Sequence, residues 1–289
     1  MNLRHSLVLA SLAFAGLCSA HAQNAGPKID FPAASPTAVI KQRAGLTDFE
    51  ITYARPSAKG RAIFGGLVPY GEVWRTGANF ATKISFNTPV KFEGKEIAAG
   101  TYELFTIPGR DEWTVILHKD KGEWGAYAYD AKDDVARVTV KPVALSQAVE
   151  TFTIGFDALR DESATLTIAW DKTLVPVKLG FDVVGPVVQQ IEAAMASDSP
   201  QKPYFPAAIF YLDHNLDLNK ALSWVDTAIQ ANPDAFYFYY HKARILAKLG
   251  NKTEAIATAR KSIEVAGKMG GAVKDEYVRL NEALIASLK

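Results

Sequence analysis

The chain has 289 residues, 48% of them hydrophobic and 22% charged, with 32 Lys and Arg against 31 Asp and Glu for a formal net charge of +1. This balance argues against nucleic acid as a partner, because phosphate recognition draws on a basic excess. Cys18 is the only cysteine, so no disulfide framework and no multi-thiolate metal site is possible.

Residues 1–22 carry Arg4 in a short basic head, an apolar run from Leu7 to Leu17, and Ala20-His21-Ala22 ahead of Gln23. That order is the pattern of a cleaved secretory signal. Cleavage after Ala22 removes Cys18 and one basic residue, leaving a cysteine-free, charge-balanced chain expected in the periplasm or secreted medium. Lipidation of Cys18 is disfavoured, because Leu17 precedes it and Ala15 stands where a lipoprotein signal places leucine. No later apolar run approaches the ~20 residues of a membrane span.

From about residue 28 to 181 the hydrophobic pattern has period two. Phe49, Ile51 and Tyr53 alternate with Glu50 and Thr52; Phe152, Ile154 and Phe156 alternate with Thr151 and Thr153; Leu166, Ile168 and Trp170 alternate with Thr165, Thr167 and Ala169. Each reads as a half-buried strand. Further strands are expected at 38–43, 83–92, 100–107, 113–118, 135–140 and 175–181, separated by Gly, Asp, Asn and Pro. About nine strands without intervening helices predict an antiparallel β-sandwich, jelly-roll-like, over residues 23–181.

Within it, residues 55–86, RPSAKGRAIFGGLVPYGEVWRTGANFATKISF, open with a long stretch that matches no regular element. Its glycines permit tight turns and close backbone approach. Arg55, Lys59, Arg61 and Arg75 offer donors to carboxylate or phosphate oxygens, Trp74 and Asn79 offer a ring face and an amide, and Tyr102, Trp124 and Tyr127 add further aromatic surfaces. These nine residues form the expected ligand site, for a small anionic or carbohydrate ligand. Trp74 and Tyr102 equally suit a core, and the arginines equally suit ion pairs with Glu72, Glu103 or Asp130.

Beyond Gly185-Pro186 the spacing becomes helical. Residues 182–203 read as a linker and a first helix, and residues 204–289 as tetratricopeptide-like helical hairpins. Ala221, Leu222, Val225, Ala228 and Ile229 make one apolar stripe that Pro233 stops. A shift of 34 residues lays Ala221 on Ala255 and Ala228 on Ser262, the period of the tetratricopeptide hairpin. Ile209 falls where that repeat prefers a small residue. Such helices are expected to dock a protein partner or a second copy of the chain, or to pack on the β-domain.

The block at 55–86, followed in order by AAGTYELFTIPG, EWTVILH, WGAYAYD, DVARV and VETFTIGF, resembles the bacterial secreted family catalogued as domain of unknown function 2911. The resemblance covers about residues 29–181. It implies an all-β extracytoplasmic domain and assigns no catalytic residues.

Catalytic constellations are sparse. No nucleophile elbow, zinc-protease helix, P-loop or dinucleotide fingerprint is present, so no cofactor is expected. Ser57 and Lys59 stand two apart, whereas the serine-lysine acylating pair needs three. Of the histidines beyond residue 22, His118 ends a strand while His214 and His241 lie in the helical part, so no metal site is expected. Asp130, Asp133 and Asp134 read as a solvated turn rather than a calcium loop, and Glu150 with Asp157 is a possible acid pair. An extracytoplasmic binding protein is the expected role. The alternatives are a hydrolase using His118 or a carboxylate pair, and a purely structural envelope component.

Overall fold

The computed structural model describes residues 30–268 and 271–289; the expected signal segment and its cleavage point lie outside them. Ten strands come first: β1 (Thr37–Ala44), β2 (Thr47–Ala54), β3 (Thr82–Phe86), β4 (Val90–Phe92), β5 (Lys95–Ile97), β6 (Gly100–Ile107), β7 (Trp113–Lys119), β8 (Asp134–Val140), β9 (Val143–Asp157) and β10 (Ser163–Gly180). Six helices follow: α1 (Val184–Ala196), α2 (Tyr204–Asp213), α3 (Leu218–Ala231), α4 (Phe236–Lys248), α5 (Lys252–Gly267) and α6 (Gly271–Leu288). The two-part architecture read from periodicity is the observed one.

Strands β1-β2-β3-β6-β7-β8 form one sheet and β5-β4-β10-β9 a second, with antiparallel pairing throughout. Alternation puts Ile51, Ile84, Leu104 and Leu117 of the larger sheet against Phe152, Ile154, Leu166 and Ile168 of the smaller one, which makes one sandwich core. At one end Trp74, Trp113, Trp170 and Phe152 pack with Phe64 into an aromatic cluster. The β1–β2 hairpin turns at Gly45, whose φ of 54° and whose distance of 2.3 Å from a would-be Cβ to the Asp161 carbonyl oxygen leave room for glycine alone.

Two strand assignments differ from the expectation. The 83–92 segment divides at Asn87-Thr88-Pro89 into β3 and β4, which belong to different sheets. Segments 166–170 and 175–181 fuse into β10, bent at Asp171, where φ is 49° and the register with β9 shifts. Pro176 is tolerated because pairing with β9 stops at Leu174 and pairing with β4 starts at Leu179.

The irregular segment at 55–81 is stitched to the sandwich. Ala58 N–H donates to Glu150 O at 2.8 Å, Gly71 N–H to Pro108 O at 2.9 Å, and Trp74 exchanges backbone bonds with Thr106 at 2.7 and 2.9 Å. Ile63, Val68 and Trp74 drop into the core. What the sequence presents as a long loop is a packed closure of one sandwich end.

In the helical part α3 and α5 begin 34 residues apart, at Leu218 and Lys252. Ala221, Ala228, Ala255 and Ser262 are all buried where the hairpins approach. In α2 it is Ala207 and Ala208 that are buried, while Ile209 is half-buried and faces a cavity at the seam with the sandwich. The seam is narrow: Val187 and Phe210 are the residues of the described helices that pack on the sandwich core.

Candidate functional site

Along β6, Tyr102 and Leu104 turn toward the sandwich core, so Glu103 and Phe105 face the other way, out of the larger sheet. On β7, His118 and Ile116 are their register partners. That outer face is not solvated. The connection from β7 to β8 folds over it, and Phe105, Ile116 and Ala81 form a second small core with Val73, Ala126 and Tyr129.

Polar groups are sealed under this roof. Glu103 and His118 are completely buried and Glu123 is 7% exposed. Glu103 Oε1 accepts a hydrogen bond from Glu123 N–H at 2.7 Å, and Glu103 Oε2 lies 3.7 Å from His118 Nδ1. His118 Nε2 faces the Asp130 carbonyl at 3.2 Å, and Nδ1 faces the Lys119 carbonyl at 2.9 Å. Phe105 and Tyr129 pack on the imidazole. Glu103 Oε2 and both carboxylate oxygens of Glu123 have no hydrogen-bond partner among the described residues, and one potential ligand atom from each of the three side chains lies within 4.8 Å of the others. Buried carboxylate oxygens without donors are costly. The cluster concentrates electron pairs with too few protons to share.

The same two chain segments build the outer surface of the roof. Phe80 and Trp124 form an antiparallel bridge, so their neighbours Ala81 and Glu123 point inward while their own rings point out. The rings meet edge to face at 4.8 Å and 83°, each residue 58% exposed, with Tyr127 beside them in sequence and 88% exposed. Phe80 also lines a cavity of about 320 Å³ together with Asn79, Lys83, Tyr53, Thr37 and Gly122. Asn79 takes a left-handed φ of 60°, which asparagine tolerates, and its carbonyl accepts from Gly125 N–H at 3.0 Å. Lys83 is paired with Asp120 at 2.7 Å.

The nine residues expected to converge are distributed over several places. Asn79, Trp124 and Tyr127 belong to the roof. Arg55 donates to Phe152 O and Thr153 Oγ1 at 3.0 and 2.8 Å, so its guanidinium ties β2 to β9. Arg61 donates to Ala58 O and Ser57 O at 3.0 and 2.6 Å. Lys59 is exposed, and its backbone N–H donates to Glu150 Oε1. Trp74 is 8% exposed and donates through Nε1 to Gly77 O. Arg75 keeps a buried Nε without a partner among the described residues. Tyr102 stacks on Phe86 at 5.3 Å and donates to Ala98 O, burial raising its phenol pKa.

The acids considered from sequence also find places. Asp133 accepts from Lys121 and Lys119, which lower its pKa to about 2, the Lys121 bond contributing most. Asp134 accepts from Tyr129 and Arg137. Glu150 and Asp157 are seven residues apart on β9, roughly 20 Å along an extended strand, far beyond the ~5–9.5 Å of a glycosidase pair. Glu123 was not singled out by any sequence motif, and Glu103 figured only as a partner for arginine.

A family model described as protein of unknown function (DUF2911) matches residues 35–179, the span from just before β1 to the end of β10. Comparison with curated proteins and with solved structures finds no match.

Proposed function

The chain belongs to the DUF2911 family through its β-sandwich, and from the surface this domain carries we propose that it is an extracytoplasmic binding protein for a small ring-bearing ligand, a neutral carbohydrate. The observation that carries this reading is the exposed Phe80–Trp124 pair beside a cavity of about 320 Å³. Sugars present flat apolar C–H faces that stack on aromatic rings, while a few polar groups orient them. Asn79 and Lys83 line the cavity and supply such groups. A charge-driven site is less well supported, since Arg55 and Arg61 spend their donors on protein oxygens and Lys83 is held by Asp120.

The extracytoplasmic half of the proposal rests on residues 1–22 and the absence of cysteine beyond them. Mass spectrometry of the native protein is expected to find Gln23 at the N-terminus. For the ligand, Trp124 is a built-in reporter. Titrating the protein with neutral mono- and oligosaccharides, uronic acids and phosphate is expected to change tryptophan emission with the neutral sugars, and Trp124→Ala to abolish the change. No response across the panel, or a response that Trp124→Ala retains, contradicts the reading.

A further inference from the structure

We propose that Glu103, His118 and Glu123 form a binding site for a first-row divalent metal ion of the zinc or manganese class, which clamps the roof to the larger sheet. Glu103 and His118 are register partners on β6 and β7, and Glu123 comes from the roof. A metal held by all three reinforces two layers already linked by Glu123 N–H to Glu103 Oε1, by the His118–Asp130 bond and by Ala81 N–H to Glu123 O.

Three observations point to a cation. The two Glu123 oxygens and Glu103 Oε2 are buried acceptors without a donor among the described residues. His118 Nδ1 lies 2.9 Å from the Lys119 carbonyl oxygen and 3.7 Å from Glu103 Oε2; with no positive centre among them, these electron pairs repel. Finally, His118 Nε2 is placed to donate to the Asp130 carbonyl at 3.2 Å, the second-shell bond that fixes the tautomer of a metal-ligating histidine, and Nδ1 then ligates by exchanging its 2.9 Å contact with the Lys119 carbonyl for the metal. The remaining oxygen of Glu103 is likewise held, by Glu123 N–H.

Ligands about 2.0–2.2 Å from a tetrahedral zinc ion lie roughly 3.3–3.5 Å from one another, so the 3.7 Å Glu103–His118 pair closes with a shift of a few tenths of an ångström, and Glu123, within 4.8 Å of both, closes with a side-chain shift of up to about 1.5 Å. One imidazole nitrogen and carboxylate oxygens suit zinc or manganese, whereas calcium takes six to eight oxygens. The alternative occupant is a proton on His118 Nδ1, donated to the Lys119 carbonyl oxygen at 2.9 Å. This inference stands apart from the ligand reading, since the metal lies beneath the roof and the ring pair above it.

The test uses the full chain as exported, stripped with a chelator and titrated calorimetrically with zinc and manganese, with calcium and magnesium as controls. One equivalent of zinc or manganese per chain is expected, with a rise in Tm. Glu123→Gln preserves shape and backbone bonds and is expected to weaken binding at least tenfold and remove the Tm rise, while His214→Asn binds as wild type. X-ray absorption on the unmodified zinc-loaded protein, which depends on no variant, should show one histidine nitrogen among oxygen ligands. No saturable uptake overturns the proposal in favour of the proton. Uptake that Glu123→Gln leaves intact, or a zinc shell with two or more histidines, overturns it in favour of an unrelated site.

Discussion

Replacing Trp74 by Ala removes a ring that is 8% exposed, with Phe152 at 5.1 Å, Trp170 stacked at 6.0 Å and 19°, and Phe64 edge-on at 6.1 Å. Tryptophan-to-alanine changes in a packed core cost about 3–5 kcal/mol, and loss of the Nε1 bond to Gly77 O falls within that range. For a domain of this size the cost corresponds to a fall in Tm of roughly 6–20 °C. Trp124→Ala is the matched control. That ring is 58% exposed and has one aromatic partner, Phe80, so about 1 kcal/mol is expected, a fall of roughly 2–4 °C. Near-ultraviolet circular dichroism on heating reports the β-domain transition for both variants. The packing argument is refuted if Trp74→Ala melts within 4 °C of wild type or if Trp124→Ala falls by as much as Trp74→Ala. In ligand titrations the order reverses: Trp124→Ala loses the response, and Trp74→Ala, where still folded, keeps it.

Arg55→Ala breaks the bonds to Phe152 O and Thr153 Oγ1, so urea unfolding should show a loss of about 1–3 kcal/mol with ligand affinity unchanged; a large affinity loss at constant stability would return Arg55 to the ligand site. His241 is held neutral in the fold, its pKa lowered from 6.5 to about 4 by burial first and by Arg244 second. The unfolded chain therefore takes up this proton first as pH falls. The contribution of His241 is complete above about pH 6.5 and declines between 6.5 and 4 by up to about 1.4 kcal/mol per unit; His241→Gln should flatten that slope in thermal melts, and an unchanged slope assigns it elsewhere. Proteinase K should cut the folded chain between Ala196 and Tyr204, where α1 ends, α2 has not begun and residues 197–201 are exposed; cleavage at Val183–Gly185 instead would mean the seam around Val187 is open.

Period-two alternation made most of the sandwich legible, because β2, β9 and β10 each bury alternate residues against one core. It failed where tertiary pairing overrides local pattern: β5 is three residues long, and Asn87-Thr88-Pro89 separates strands of different sheets while Ile84, Phe86, Val90 and Phe92 stay in one period-two phase. The arginines drew attention because donors are visible in sequence while their partners are not. Arg55 meets Phe152 and Thr153 nearly a hundred residues away. The buried cluster left a fainter trace. In ELFTI and TVILH apolar residues occupy both phases of a strand, as expected where both faces of a sheet are covered, and Glu103 and His118 at the ends of those runs then stand under a lid. Glu123 joins them only through the fold of the roof.

The central claim is that the roof of the larger sheet is where this protein recognises its ligand. Amide chemical-shift mapping of the isotopically labelled full chain, titrated with the sugar that changes tryptophan emission, tests it most directly. The account predicts that the shifts concentrate at Asn79, Phe80, Ala81, Gly122, Trp124 and Gly125. Shifts concentrated instead around Arg55 and Arg61, or in the seam at Phe205 and Phe210, would contradict it.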